Sequence, residues 1–181
     1  DLQAHLRPVT LAPAWRVLNS TLERSRDEER RGVVLASSFD AFLRRFGPLS
    51  VALPKASAGL FEEVERSSAS MSVLAPWFHG ALSRTEEAAL LGSGSASSGR
   101  FLVRYSSTEP TALVLAYVGH DGVPRRSRIF NLGIRGFAIE GLQDVFFSLR
   151  DFVRSQEALQ TPVASELHRR SLEEAAPAAP E

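Results

Sequence analysis

Cysteine is absent from the 181 residues, and Lys55 is the sole lysine. Without thiols the chain has no disulfide, no cysteine nucleophile and no cysteine-ligated zinc, a composition compatible with a reducing, cytoplasmic setting. Net charge is also missing. Lys plus Arg and Asp plus Glu each total 21, so no general attraction to nucleic acid or to an anionic membrane is expected. No apolar run is long enough to cross a bilayer, and no secretory signal is visible. There is no Gly-rich nucleotide loop followed by a lysine and no convincing pair of catalytic carboxylates, so no enzyme is expected within these residues. His5, His120 and His168 show no metal-ligand spacing, His79 reads as a packed or hydrogen-bonded histidine rather than a ligand or catalyst, and neither metal nor cofactor is expected. The chain opens on Asp1 rather than methionine, as a piece of a longer protein would. The near-exclusive use of arginine as the basic residue reads as codon bias.

What is present is ordinary globular material, 44% hydrophobic and 23% charged, enough for one large domain or two small ones. From Ala14 to about Arg26, Trp15, Leu18 and Leu22 recur at helical spacing. A charged segment, Asp27 to Gly32, and the apolar Val33-Val34-Leu35 follow. A second helix opens near Ser38, presents Phe39, Phe42, Leu43 and Phe46, and stops at Gly47-Pro48. Helix, acidic loop, short apolar stretch and helix outline an EF-hand with Gly32 at its sharp turn. The ligand positions are poor, because Arg31 and Ser38 stand where oxygen donors belong. Two readings stay open, a degenerate EF-hand and a plain helix–loop–helix. Ala56 to Glu65 reads as a short helix, and Ser67 to Ser72 as a link.

A composition shift at Pro76 marks a boundary. Residues 1–75 form a helical leading segment, 76–172 a second domain, and 173–181 an Ala/Pro/Glu tail. Trp77 to Gly80 reads as a short aromatic strand. Ser83-Arg84-Thr85-Glu86 is a capping box opening a helix that ends at Gly92. Strands follow at Arg100–Val103, Ala112–Val118, Arg125–Asn131 and Gly136–Ile139, with a hairpin turn at His120-Asp121-Gly122. Ser148 caps a second helix whose inner face carries Leu149, Phe152 and Val153. The fold class is α+β, a central antiparallel sheet with a helix on each face.

Within Gly99 to Ser107, Arg104 sits in an apolar strand, where a charge is costly unless paired. A built-in carboxylate or an anionic ligand would answer the need. Ser106, Ser107 and Thr108 follow at once and favour the ligand: a guanidinium fork ringed by hydroxyls and backbone N–H groups suits a phosphate.

Trp77-Phe78-His79-Gly80-x-Leu82-Ser83-Arg84 followed by Gly99-x-Phe101-Leu102-Val103-Arg104-x-Ser106 resembles the Src homology 2 domain, the phosphotyrosine-binding module. Gly136-Phe137-x-Ile139 and Phe147-Ser148-Leu149-x-x-Phe152-Val153 are similar to its later strand and second helix. The resemblance implies that Arg104 grips the phosphate and that Arg84 contacts phosphate and tyrosine ring. It places Ser106, Ser107 and Thr108 in the phosphate cup and Arg128 beside the ring. Arg126 stands where the family often has histidine and should make the pocket more cationic if it points inward. Glu109 adds a negative charge nearby. Residues after the phosphotyrosine should meet Ser127, Ile139 and the loop around Leu159. Ser127 is small where many members carry an aromatic residue, which could open an apolar slot.

The implied function is docking of a signalling protein onto tyrosine-phosphorylated partners, as in tyrosine kinase signalling, with no nucleic acid or membrane bound by this piece. The alternative is a structural interaction domain with a vestigial phosphate pocket. The leading segment is similar to what precedes this domain in Cbl-type ubiquitin ligases and in STAT transcription factors, and either arrangement would place further activity outside these residues.

Overall fold

The computed structural model describes residues 36–46, 60–66, 69–92, 98–109, 111–132 and 135–174. The helix expected at Ala14–Arg26 and the EF-hand-like loop lie outside them. Helix α1, Ala36–Phe46, begins two residues before Ser38. It turns Phe42 into the main core, with Phe39 and Leu43 packed against it, as the apolar spacing requires.

Leu60 is helical, but the chain then turns to strand. Strands β1, Phe61–Arg66, and β2, Ala69–Leu74, pair antiparallel from Phe61↔Leu74 to Arg66↔Ala69. This corrects the helix expected over Ala56–Glu65 from Phe61 onward and the Ser-rich link from Ala69 onward; residues 56–59, 67 and 68 lie outside the described residues. Three apolar residues at helical spacing are a weak signal, and strand formation depends on what the pair meets elsewhere. The leading segment is therefore not all-helical.

Trp77 to Gly80 is likewise not a regular strand. Only Phe78 bridges to Val103, although backbone bonds from Val103 N to Trp77 O, His79 N to Val103 O and Tyr105 N to Gly80 O lay the segment along the sheet edge. Helix α2, Arg84–Leu91, carries the complete capping box of Ser83 and Glu86 and ends at Gly92. The sheet strands are β3, Arg100–Tyr105, β4, Ala112–Val118, β5, Pro124–Asn131, β6, Phe137–Ile139, and β7, Val145–Phe146. Then come helix α3, Leu149–Ser155, strand β8, Thr161–Pro162, and helix α4, Glu166–Glu174. The sheet order is β7-β6-β5-β4-β3-β8, antiparallel except for the β3–β8 pair. The two-residue strands β7 and β8 and the whole of α4 were not expected. Glu173 and Glu174, which composition assigns to the tail, close this last helix.

Strand alternation divides the core between the two sheet faces. Phe101, Val103 and Tyr105 of β3, Leu113 and Leu115 of β4, and Ile129 of β5 join Leu149 and Phe152 of α3. Leu102, Ala116 and Val118 face the other way, onto Leu91 of α2 and Val163. The large cluster also takes in Phe42, Leu60 and Leu74, so the leading helix and hairpin share the sheet's core. One glycine is demanded by geometry. Gly136 has φ +111°, and a Cβ there would lie 2.2 Å from the Phe146 carbonyl oxygen, which lets β7 close against β6.

Candidate phosphotyrosine site

Because β3 alternates, Arg104 lies on the Leu102 face, towards α2. Register sets Arg104 opposite Val114 and Val114 opposite Arg128; Leu102, Ala116 and Arg126 form the neighbouring row. Arg104, Arg126 and Arg128 therefore share one face of three adjacent strands, the face that α2 covers.

The helix brings a carboxylate to this face. Leu91 is buried against the sheet, and Glu87, one turn earlier, points the same way and is 1% exposed. Its Oε2 accepts from Arg104 Nε at 2.5 Å, and its Oε1 accepts from Arg126 Nε at 2.5 Å. Arg104, its side chain 3% exposed, also donates from Nη1 to the Tyr105 carbonyl at 2.8 Å. The sequence favoured a ligand over a built-in partner for Arg104, and the fold supplies the partner. Arg126 does point inward as considered, but Glu87 offsets the charge it was expected to add. Sequence reasoning missed Glu87 because its neighbour Glu86 forms the cap. The available signal was its spacing of four from Leu91, which puts both on the sheet-facing side of a short helix.

Arg84 is the first residue of α2, exposed, three before Glu87 and hence on the same side of the helix. Ser106 is buried at the end of β3, and its Oγ accepts from Thr108 N at 3.4 Å and Glu109 N at 3.0 Å. Those two N–H groups thus turn towards Ser106, while Ser107 and Thr108 stand exposed on the loop. Thr111 Oγ1 donates to Glu109 at 2.8 Å. Arg128, expected beside a phosphotyrosine ring, is paired with Glu140, donating from Nη2 at 2.9 Å and from Nε at 3.2 Å. Hydrogen bonding to Glu140 raises its pKa, and the reciprocal bond lowers that of Glu140. Its guanidinium carbon lies 6.0 Å from the Phe130 ring centroid.

The three residues expected to read the peptide come together on the opposite face. Ser127, Ile139 and Leu159 line one cavity of about 290 Å³, with Tyr117, Leu142 and Phe152 among its other walls. Ser127 leaves space between Leu115 and Ile139 that an aromatic side chain would fill.

His79 is packed rather than presented. Its Nε2 lies 3.0 Å from the Val163 carbonyl oxygen, and burial pushes its pKa down. Among the described residues no group of three or more His, Asp or Glu could hold a metal ion, and no helix is long and apolar enough to cross a membrane.

Residues 77–155 match the family model of the SH2 domain. This part of the chain is an SH2 domain, and such domains are phosphotyrosine-binding modules of signalling proteins rather than catalysts. Comparison with curated proteins returned no match.

Proposed function

We propose that this domain docks its parent protein onto tyrosine-phosphorylated partners in the cytoplasm, with Arg104 as the principal phosphate contact. The observation that carries the reading is the convergence of Arg104, Arg126 and Arg128 on one sheet face, beside the Ser106–Glu109 loop and the exposed Arg84. The phosphate carries about −1.5 to −2 charge at neutral pH, and charge-assisted bonds to guanidinium are the strong ones. A phosphoserine is too short to reach an arginine whose side chain is 3% exposed. In this reading Ser107 and Thr108 close over the phosphate, and Arg128 exchanges Glu140 for the ligand. The peptide runs over the sheet edge, and an apolar side chain after the phosphotyrosine enters the cavity of Ser127, Ile139 and Leu159.

One observation favours a second reading, an interaction domain whose phosphate site is vestigial: Glu87 already holds Arg104 and Arg126. Calorimetric titration of the 181-residue chain with a degenerate pool of phosphotyrosine peptides separates the two. Unphosphorylated and phosphoserine pools serve as controls. Binding of the phosphotyrosine pool alone supports docking, and equal indifference to all three supports the vestigial reading.

A further inference from the structure

We propose that Glu87 is a resident counter-anion of the phosphate site, which limits its affinity by competing with phosphate for Arg104 and Arg126. The inference rests on the phosphotyrosine reading above and identifies a residue that tunes it.

Glu87 has one carboxylate and two guanidinium partners, drawn from strands separated by β4. Each Nε is used inward: Arg104 on Oε2 and Arg126 on Oε1, both at 2.5 Å. A phosphate can be gripped side-on, by Nε with one terminal nitrogen, or end-on, by the two terminal nitrogens. Glu87 takes the side-on approach from both arginines. The Tyr105 carbonyl oxygen also accepts a hydrogen bond from Arg104 Nη1, so even the end-on grip is partly spent. Phosphate must therefore share Arg104 with Glu87, or displace a carboxylate that is 1% exposed.

Charge points the same way. Arg104, Arg126 and Glu87 together carry one net positive charge. A second anion brought close to a buried carboxylate is repelled, more strongly than it would be in water. The pocket is thus held below the charge its arginines alone would give it. Weak holding by the phosphate site leaves more of the binding free energy to the cavity of Ser127, Ile139 and Leu159, so peptide sequence counts for more than phosphorylation alone.

Phenyl phosphate, which carries the head group without peptide, and the phosphotyrosine peptide pool are the two probes. Glu87→Gln keeps an oxygen for one arginine and removes the charge; Glu87→Ala removes the group and guards against failure of the Gln variant to fold. Each is titrated in the full chain at two salt concentrations, with thermal unfolding recorded. The expected result is that a folded variant binds phenyl phosphate about tenfold more tightly at low salt, with a steeper loss on adding salt. Adding Arg104→Ala should cancel the gain.

If wild type binds the peptide pool but the folded variants bind equally or more weakly, Glu87 positions the arginines rather than restraining them, and the proposal is overturned while the docking reading stands. Unfolding of both variants overturns it too, since the carboxylate is then a structural tie. If wild type and folded variants all ignore both probes, the phosphotyrosine reading itself fails. If only the variants bind, Glu87 is upheld as the restraint, and the docking reading of the wild-type chain gives way to the vestigial one.

Discussion

Leu74, the last residue of β2, has both of its backbone hydrogen-bonding groups satisfied by helix α4. Its N–H donates to Ser171 Oγ at 3.0 Å, and its carbonyl oxygen lies 2.5 Å from His168 Nδ1. A leading-segment strand is in this way tied to a helix 97 residues later in the chain. Ser171→Ala leaves the buried Leu74 N–H without its acceptor, a cost of about 1–3 kcal/mol. Urea unfolding should show the midpoint falling with the slope unchanged. No change in midpoint would mean that water satisfies the group.

Arg104→Ala should act twice. Loss of charge-assisted bonds, roughly 1.5–3 kcal/mol each, removes phosphopeptide binding by a hundredfold or more. It also leaves Glu87 buried with only the half-exposed Arg126, at a stability cost of about 3–5 kcal/mol. Adding Glu87→Ala should recover much of the stability and none of the binding of wild type. A double-mutant cycle with additive stabilities would show that the two side chains are not coupled.

His79 makes the fold sensitive to mild acid. Its pKa is lowered by burial, so the unfolded chain takes up the proton first. Its contribution is complete above the ordinary imidazole value of about 6.5 and is lost as pH falls through the lower folded value. His79→Gln keeps a donor for the Val163 carbonyl and removes the titration. Between about pH 7.5 and about pH 5.5 the variant should lose less unfolding free energy than wild type. Parallel losses would assign the acid sensitivity elsewhere.

Ser127→Phe should change which peptides are chosen. The added ring enters the cavity between Leu115 and Ile139. Peptides with a leucine or isoleucine after the phosphotyrosine should then bind about tenfold more weakly, in line with the worth of an apolar side chain in a pocket. A peptide-array comparison reads this directly. An unchanged ranking would place the following residues on another surface.

The sequence made the regular middle of the fold legible for identifiable reasons. The capping box of Ser83 and Glu86 opens α2 and Gly92 closes it, the unbroken apolar run of Ala112–Val118 could only be a central strand, and Asp121-Gly122 fixes the turn. The three cavity residues were found because family spacing places them on known elements. What stayed hidden depended on partners distant in the chain. Strands β1 and β2 are held by each other, and β2 by α4. Helix α4 has few apolar residues, and its best signal was charge spacing, with Arg169 bonded to Glu166 and Glu173. Glu87 looked like one more acid in a helix's first turn, a favourable place for exposed acids. Only the register of Arg104 against α2 reveals it as buried.

The Pro76 carbonyl accepts a hydrogen bond from Ser165 N at 2.9 Å, so the chain enters and leaves the sheet region at adjacent points. With the Leu74 contacts to His168 and Ser171, this forms a short seam along one margin. A pull applied to the two flanks would load that seam first, while the pairing of β3 with β4 and of β4 with β5 lies off the line of force. Under tension between its two flanks, that seam should therefore part before the strands that carry Arg104 and Arg126 separate.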